Sequence, residues 1–354
     1  MRLPEIVSES WRNLFSGTTH AASFALALGL SAGTLVAADG ITIGVLHDEA
    51  TAFVASGASI RVLQAEGAVD GGACDGLPGH GTIGAAGAVA AADAMTFPAV
   101  PGMAVPVFAV SPGLLQVLGG AGREAGAWVS EELASILRVE PGDVLQTDGD
   151  ELVIAAVFAF PDDGRDSRLG GAILTPVAND QDFDECWAQA WPSSDSTDVL
   201  LRSTALTVDS TTAHTIGQVN NRLGTTFDGE VRFAARLTRF APMVCVIVGG
   251  VLGWLSTRRR RLEYAAALHA RQQRGAQLLA SSLETCAWAV LGGAIGCGML
   301  VLATHRLPLD IRWEVVSVAW PGLLSAISSA MLGAVIGASS SRERHLFRYF
   351  RTRT

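Results

Sequence analysis

The chain has 354 residues, a mean hydropathy of +0.35 and a formal net charge of −9. Its 25 basic side chains are all arginine, and a chain without lysine has no Walker A loop, whose Lys must reach the β- and γ-phosphates. Any ATP hydrolysis therefore belongs to another polypeptide. The acidic balance gives no reason to expect a nucleic-acid partner, and the Ala-, Gly- and Arg-rich usage suits a GC-rich bacterial genome.

In chain order, residues 1–17 predict an amphipathic elbow helix. Ile6, Val7, Trp11, Leu14 and Phe15 share its apolar side, while Arg12 and Asn13 face water. Such a helix lies in a membrane interface; the plainer alternative is a polar lead-in to the next segment. Four stretches, 13–38, 240–257, 285–304 and 315–341, contain no Asp, Glu, Lys or Arg. A helix needs about 20 apolar residues to cross a hydrocarbon core, so spans are expected over 18–46, 240–257, 280–304 and 315–338. A cleaved signal peptide is the rival for the first, with Val36-Ala37-Ala38 as its site, but the segment lacks a net positive start and its apolar run is long.

Between the first two spans, residues 47–208 predict an α+β domain. Strands are expected at 58–63, 104–110, 144–146, 152–158 and 172–175, with turns at 140–143 and 162–164. Residues 130–137 predict a short helix capped by Ser130. A Gly/Ala-rich stretch fills 67–92. Residues 209–239 predict a stalk helix running into the second span without a breaker before Pro242. The expected fold class is an α-helical membrane protein with four transmembrane helices and an α+β extracytoplasmic domain inserted between helices 1 and 2.

Charge sets the expected orientation. From His47 to Arg239 there are 26 acidic residues against 10 Arg, whereas 257–283 has six Arg and one Glu, and 339–354 five Arg and one Glu. Basic residues next to span ends mark the cytoplasmic side. Arg258, Arg259, Arg260 and Arg261 directly follow the second span. Both termini are then cytoplasmic in a bacterial cell membrane and the acidic domain lies outside. Residues 258–279 form a cytoplasmic segment, 305–314 a short outer loop and 339–354 a basic cytoplasmic tail. Trp313 and Trp320 fit an interfacial belt.

Cys245, Cys286 and Cys297 fall in the apolar segments. Cys74 and Cys186 lie in the acidic domain, where an even pair in an oxidising space reads as a disulfide; two separate buried thiols are the alternative. Small residues recur four apart in every span, at Gly29/Gly33, Gly249/Gly253, Gly292/Gly296 and Gly333/Gly337, which suits close helix packing or dimerisation. Asp39 and Arg239 are candidates for an interfacial pair, beside the plainer reading of each as an anchor. Glu284 is costly if it faces lipid and is expected near the Arg-rich helix.

Catalytic patterns are weak. Gly29-Leu30-Ser31-Ala32-Gly33 has the spacing of a nucleophile elbow but sits inside a span. Gly79 to Gly84 matches a dinucleotide fingerprint without a βαβ unit around it, and reads as a flexible loop. His47, His80 and His214 show no zinc spacing. No catalytic residue, metal ligand or cofactor site is expected on this chain.

The run Arg259-Arg260-Arg261-Leu262-Glu263-Tyr264-Ala265, then Glu284 and Leu291-Gly292-Gly293-Ala294-Ile295-Gly296, resembles the C-terminal part of MacB/FtsX-type ABC transporter permeases. Val129-Ser130-Glu131-Glu132-Leu133-Ala134, Val139-Glu140-Pro141-Gly142-Asp143 and Val153-Ile154-Ala155-Ala156-Val157 are similar to the family's extracytoplasmic core domain. Glu9-Ser10-Trp11-Arg12-Asn13-Leu14 is similar to its N-terminal elbow. The family's usual Ala-Leu-Gly-Ala after the Arg-rich helix is replaced around His269-Ala270-Arg271-Gln272. The resemblance implies a permease subunit, itself no enzyme, that forms a homodimer or pairs with a related permease in membrane lipid. It implies a separate cytoplasmic ABC ATPase that binds ATP and Mg, with Arg261, Glu263, Tyr264, His269, Arg271 and Arg274 as the coupling surface. The implied role is mechanotransmission for export of a peptide, lipid-linked or hydrophobic substrate. Control of extracellular cell-wall hydrolases through an outer protein partner, or antimicrobial-peptide sensing and immunity, are the alternatives.

Overall fold

The computed structural model describes residues 3–98, 102–119, 126–147, 151–206 and 214–341. The chain divides into two compact units, residues 1–48 with 229–354, and residues 49–228.

Two helices lead: α1 (Leu3–Phe15) and α2 (Ala21–Ala55). The inserted unit then runs β1 (Ile60–Asp70), α3 (Gly71–Asp75), β2 (Ile83–Thr96), β3 (Ala104–Val110) and α4 (Pro112–Val117). It continues β4 (Ala127–Ser130), α5 (Glu131–Leu137), β5 (Val144–Gln146), β6 (Glu151–Phe158), β7 (Ile173–Pro176), β8 (Asp182–Ala190), α6 (Asp195–Arg202) and β9 (Thr215–Gln218). The second half of the helical unit comprises α7 (Gly229–Ala235), α8 (Ala241–Arg259), α9 (Arg261–His269), α10 (Arg274–Ala303), α11 (Leu309–Ala319) and α12 (Pro321–Ser339).

Among the described residues the strands form one mixed sheet, in the order β5-β6-β4-β7-β3-β2-β8-β1-β9. Most neighbours are antiparallel, but β3 with β7 and β4 with β6 are parallel. Side chains alternate between the two faces of a strand, and the core follows that period. Ile60, Val62 and Trp187 join Leu114 and Leu115 of α4 on one face. Leu63, Ala65, Cys186 and Ala188 join Cys74 of α3 and Leu201 of α6 on the other. Cys74 and Cys186 are bonded, with Cα atoms 5.9 Å apart and both side chains fully buried. Ser130 caps α5 by accepting from the Leu133 N–H, as its position before Glu131 predicts.

Several expectations are corrected. The Gly/Ala-rich stretch contains most of β2, a central strand. Its small residues are needed because α4 presses on it: a Cβ on Gly87 would fall onto the Leu114 backbone. The stalk helix is not formed. Residues 215–218 are β9, with Ile216 opposite Leu63, and helix resumes only at α7, followed by a 3₁₀ turn over Leu237–Phe240. Val219, Thr225 and Thr226 favour extended chain, and Gly224 takes φ 97°; residues 209–213 of that expectation lie outside the described residues. The long continuous helix is instead α2, which runs to Ala55, nine residues past the expected end.

Four helical stretches are long and apolar enough to cross a membrane: Ala21–Ala55, Leu237–Arg259, Arg274–Ala303 and Leu309–Ser339. The third starts six residues before the expected 280. The fourth begins within the expected loop 305–314, because Pro308 is followed by helix from Leu309, and Pro321 divides it into α11 and α12. Of the tail 339–354, residues 342–354 lie outside the described residues.

The spaced glycines are consumed inside the helical unit. Gly29 and Gly33 of α2 lie against Gly292 and Gly296 of α10, so a Cβ on Gly33 would stand 2.8 Å from the Gly296 Cα. Gly249 and Gly253 of α8 meet the carbonyls of Ala326 and Ala330 on α12, and Gly333 and Gly337 return the contact at Gly250 and Thr257. Backbones this close gain dispersion contacts that larger residues would prevent.

The disulfide closes a loop of 112 residues, which restricts the unfolded chain strongly. Replacing Cys74 and Cys186 together by Ala should lower the stability of the inserted domain by about 2–5 kcal/mol. Denaturant unfolding of the non-reduced protein, followed on the tryptophans, reads this directly; an unshifted transition would show that the bond contributes nothing.

Candidate functional site

The strongest concentration of buried charge lies where α8, α9, α10 and α1 converge. α8 ends at Arg259, and Arg260 forms the joint into α9. Its side chain turns inward, only 13% exposed, to pair with Glu284 of α10 and, at 2.7 Å, with Glu263 one turn along α9. Glu284 is 5% exposed and accepts a second bond, 2.8 Å from Asn13 Nδ2 of α1. Ser10 on the same helix donates to the Ala280 carbonyl of α10. The Arg260 guanidinium also lies over the Tyr264 ring, 5.4 Å from its centre, within reach of a cation–π contact.

Electrostatics follow from that packing. Burial pushes the Tyr264 hydroxyl up to about 12, since Arg260 nearby only partly favours the phenolate and Glu284 and Glu263 oppose it. Burial works against the Arg260 cation, but Tyr264, Glu284 and Glu263 outweigh it and raise its pKa above the ordinary guanidinium value. The result is a locked ion pair with a neutral phenol beside it.

The expected coupling residues divide into two groups. Glu263, His269, Arg271 and Arg274 are exposed, and Arg261 is half-buried at the start of α9. Tyr264 is buried, so it supports the joint from within and offers no docking surface. The helix breaks at residues 270–273, with Arg271 left-handed at φ 64°. Arg274 and Gly275 already belong to α10.

Two further placements differ from the sequence expectation. Asn13 does not face water but binds Glu284, because an unpaired carboxylate there would be expensive to bury. Asp39 of α2 pairs with Arg236 at 3.0 Å, both side chains at most 10% exposed, rather than with Arg239. Arg239 instead lies over the Phe240 ring, 4.6 Å from its centre. Nothing in the run of four arginines marks Arg260 out from its neighbours. The available signal was Glu284, whose cost in lipid demands a cation nearby.

Outside the membrane unit, Asp163 and Arg165 form a second pair at 2.8 Å. The Arg165 hydrogen bond holds the Asp163 carboxyl below its ordinary value. Glu185, 7% exposed, accepts from Arg168 and from Trp187 Nε1. The bonds to Glu185 satisfy a buried carboxylate on β8, while Asp163 stays about one-third exposed.

No protein-family model matches the chain, and no curated protein matches its sequence. Among solved structures, the periplasmic region of MacB from Actinobacillus actinomycetemcomitans is similar with a TM-score of 0.34 at 10% identity, covering 46% of this chain and 90% of that one. A domain of a "putative Permease protein" from Porphyromonas gingivalis gives 0.33 at 14% identity, over 50% of this chain and 98% of that one. The extracellular domain of the noncanonic ABC-type transporter YknZ from Gram-positive bacteria gives 0.29 at 12%, over 46% and 100%.

Removing one member of the buried pair should be far worse than removing both. Glu284→Ala leaves Arg260 with only the exposed Glu263 and takes from Asn13 its acceptor; it should cost about 3–5 kcal/mol, while Arg260→Met with Glu284→Leu should recover most of it. Thermal unfolding of the detergent-solubilised protein compares them; equal losses would contradict the burial described. Tyr264 should titrate near pH 12 rather than 10, seen as phenolate absorbance lost in Tyr264→Phe. Its stabilisation is whole below pH 10 and disappears as pH rises through about 12, because folding favours the protonated form.

Proposed function

We propose that this chain is the permease subunit of an ABC transporter of the MacB/FtsX type, coupling ATP hydrolysis on a separate subunit to movement of its inserted domain. The observation that carries this reading is the joint at Arg260. One buried guanidinium ties the end of α8 to α9 and α10, and α10 is tied to α1 through Glu284 and Asn13. A force applied to the exposed side of α9 is then delivered to several helices at once rather than absorbed by a loose loop.

Glu263, His269, Arg271 and Arg274 are the docking surface in this proposal, with Arg261 at its edge. Tyr264 serves as internal support. The arginine collar suits a cytoplasmic position for this end, and the Cys74–Cys186 bond suits an inserted domain in an oxidising space outside the membrane. ATP and Mg belong to the partner ATPase. The exposed apolar residues of α8 and α12, among them Met243, Ile247, Leu332 and Ile336, suit lipid and a second permease subunit. Export of a peptide, lipid-linked or hydrophobic substrate is the transport role we assign.

Glu263→Ala with Arg271→Ala should reduce recovery of the ATPase with the tagged chain by about fivefold or more, while membrane insertion is kept. Quantified co-purification from membranes measures it. Undiminished recovery of the ATPase would remove the coupling surface from α9.

A further inference from the structure

A groove of about 210 Å³ runs between α1, the start of α2 and α10. Trp11 and Phe15 form one wall, their rings edge-on at 4.9 Å, and Ala287, Trp288 and Leu291 form the other. The lining is apolar, yet Trp11, Phe15 and Leu291 are 61%, 75% and 53% exposed. On α10 the groove begins one turn beyond Glu284, so it lies about 4–11 Å further into the span than the ion-paired joint. Two arginines flank it, neither with an ion-pair partner among the described residues. Arg12 is exposed and sits one turn from Phe15 on α1. Arg259, exposed at the end of α8, lies over the Phe24 ring, 5.9 Å from its centre, and Phe24 packs on Trp288 at 5.5 Å. Such a ring contact orients a guanidinium and leaves its N–H donors free. Glu284 and Glu263 are taken up by Arg260, and Glu9, a turn before Arg12, has one oxygen buried.

We propose that this groove binds an anionic phospholipid of the surrounding bilayer, with one acyl chain along Trp11, Phe15 and Leu291 and the phosphate on Arg12 and Arg259. The order in depth is that of a lipid in its leaflet: guanidinium groups at the helix ends, then an apolar channel further into the span. A guanidinium offers phosphate two parallel N–H bonds. A zwitterionic lipid carries its own cation beside the phosphate, so unpaired arginines favour a headgroup with net negative charge. Both halves of the site, cationic and apolar, are met by one molecule. The inference rests on α2 and α10 spanning a membrane and needs no ATPase, so it stands even if α9 docks none.

Fluorescence quenching of the full-length protein in phosphatidylcholine nanodiscs tests it. Phosphatidylglycerol or phosphatidylcholine, brominated on the upper part of one acyl chain, is titrated in, and the Trp11 signal is the difference from Trp11→Phe. Half-quenching of Trp11 should need about fivefold less of the brominated phosphatidylglycerol than of the brominated phosphatidylcholine. Arg12→Gln with Arg259→Gln should bring the two lipids within about twofold of each other. Arg258→Gln with Arg306→Gln is an equal charge change away from the groove, Arg258 lying over Trp254, and should keep the preference. Ala287→Phe fills the groove from an exposed position; it should also abolish the preference, and it decides the matter if the arginine pair fails to insert. The proposal is overturned if both lipids quench Trp11 alike, as unselected surrounding lipid would, or if neither does. It is overturned equally if the preference survives in Arg12→Gln with Arg259→Gln or in Ala287→Phe, or is lost in the control pair.

Discussion

The helical unit depends on how it buries one cation. Arg260 cannot sit inside protein without anions around it, since an unpaired charge there costs several kcal/mol or more. Glu284 has the converse problem in the middle of a long apolar helix. Each satisfies the other, and Asn13 takes up a remaining lone pair of the carboxylate. α1 is thereby held in one register with the α9 start and α10, some 270 residues further along the chain. A buried pair of this kind adds little net stability over an apolar filling; what it adds is a fixed arrangement, because any slip leaves a charge unmatched.

Glycine and alanine do the rest of the work of holding the helices. α8 and α12 approach so closely that Gly249, Gly253, Gly333 and Gly337 have no room for a side chain. α2 meets α10 through the same device at Gly29, Gly33, Gly292 and Gly296. In lipid the hydrophobic effect gives helices little reason to associate, so close backbone contact and internal polar pairs must supply the attraction. Asp39 with Arg236 is a second such pair, linking α2 to the residues just before α8.

In the inserted domain the constraint is a sheet with both faces covered. Trp187 and Cys186, neighbours on β8, point into different cores, and the disulfide fastens α3 to the second. The short strands with strong alternation or clear turn signals, β3, β5, β6 and β7, were legible from local pattern alone. β2 was not, because the Ala and Gly that let α4 press against it also erase the apolar alternation that marks a strand. β8 was hidden by its acidic residues, several of which are hydrogen-bonded within the sheet: Asp184 accepts from the Gly67 and Ala91 N–H groups. Residues 215–218 carry no proline to break a helical reading, while their pairing with β1 is a contact across some 150 residues of chain.

Composition and charge, which depend on no long-range contact, were enough to establish four apolar crossings, the inserted acidic domain, the pairing of Cys74 with Cys186 as the simplest reading, and the need of Glu284 for a cation. Hydrocarbon thickness and the cost of burying charge act on any arrangement of the chain, so they are readable from the residues in order. Which of four adjacent arginines turns inward, that Asn13 joins it, that Asp39 chooses Arg236 over Arg239, and that Tyr264 is internal were decided only in three dimensions. Each depends on how helices pack once folded, from the α9–α10 pair 24 residues apart to the α1–α10 pair 271 residues apart.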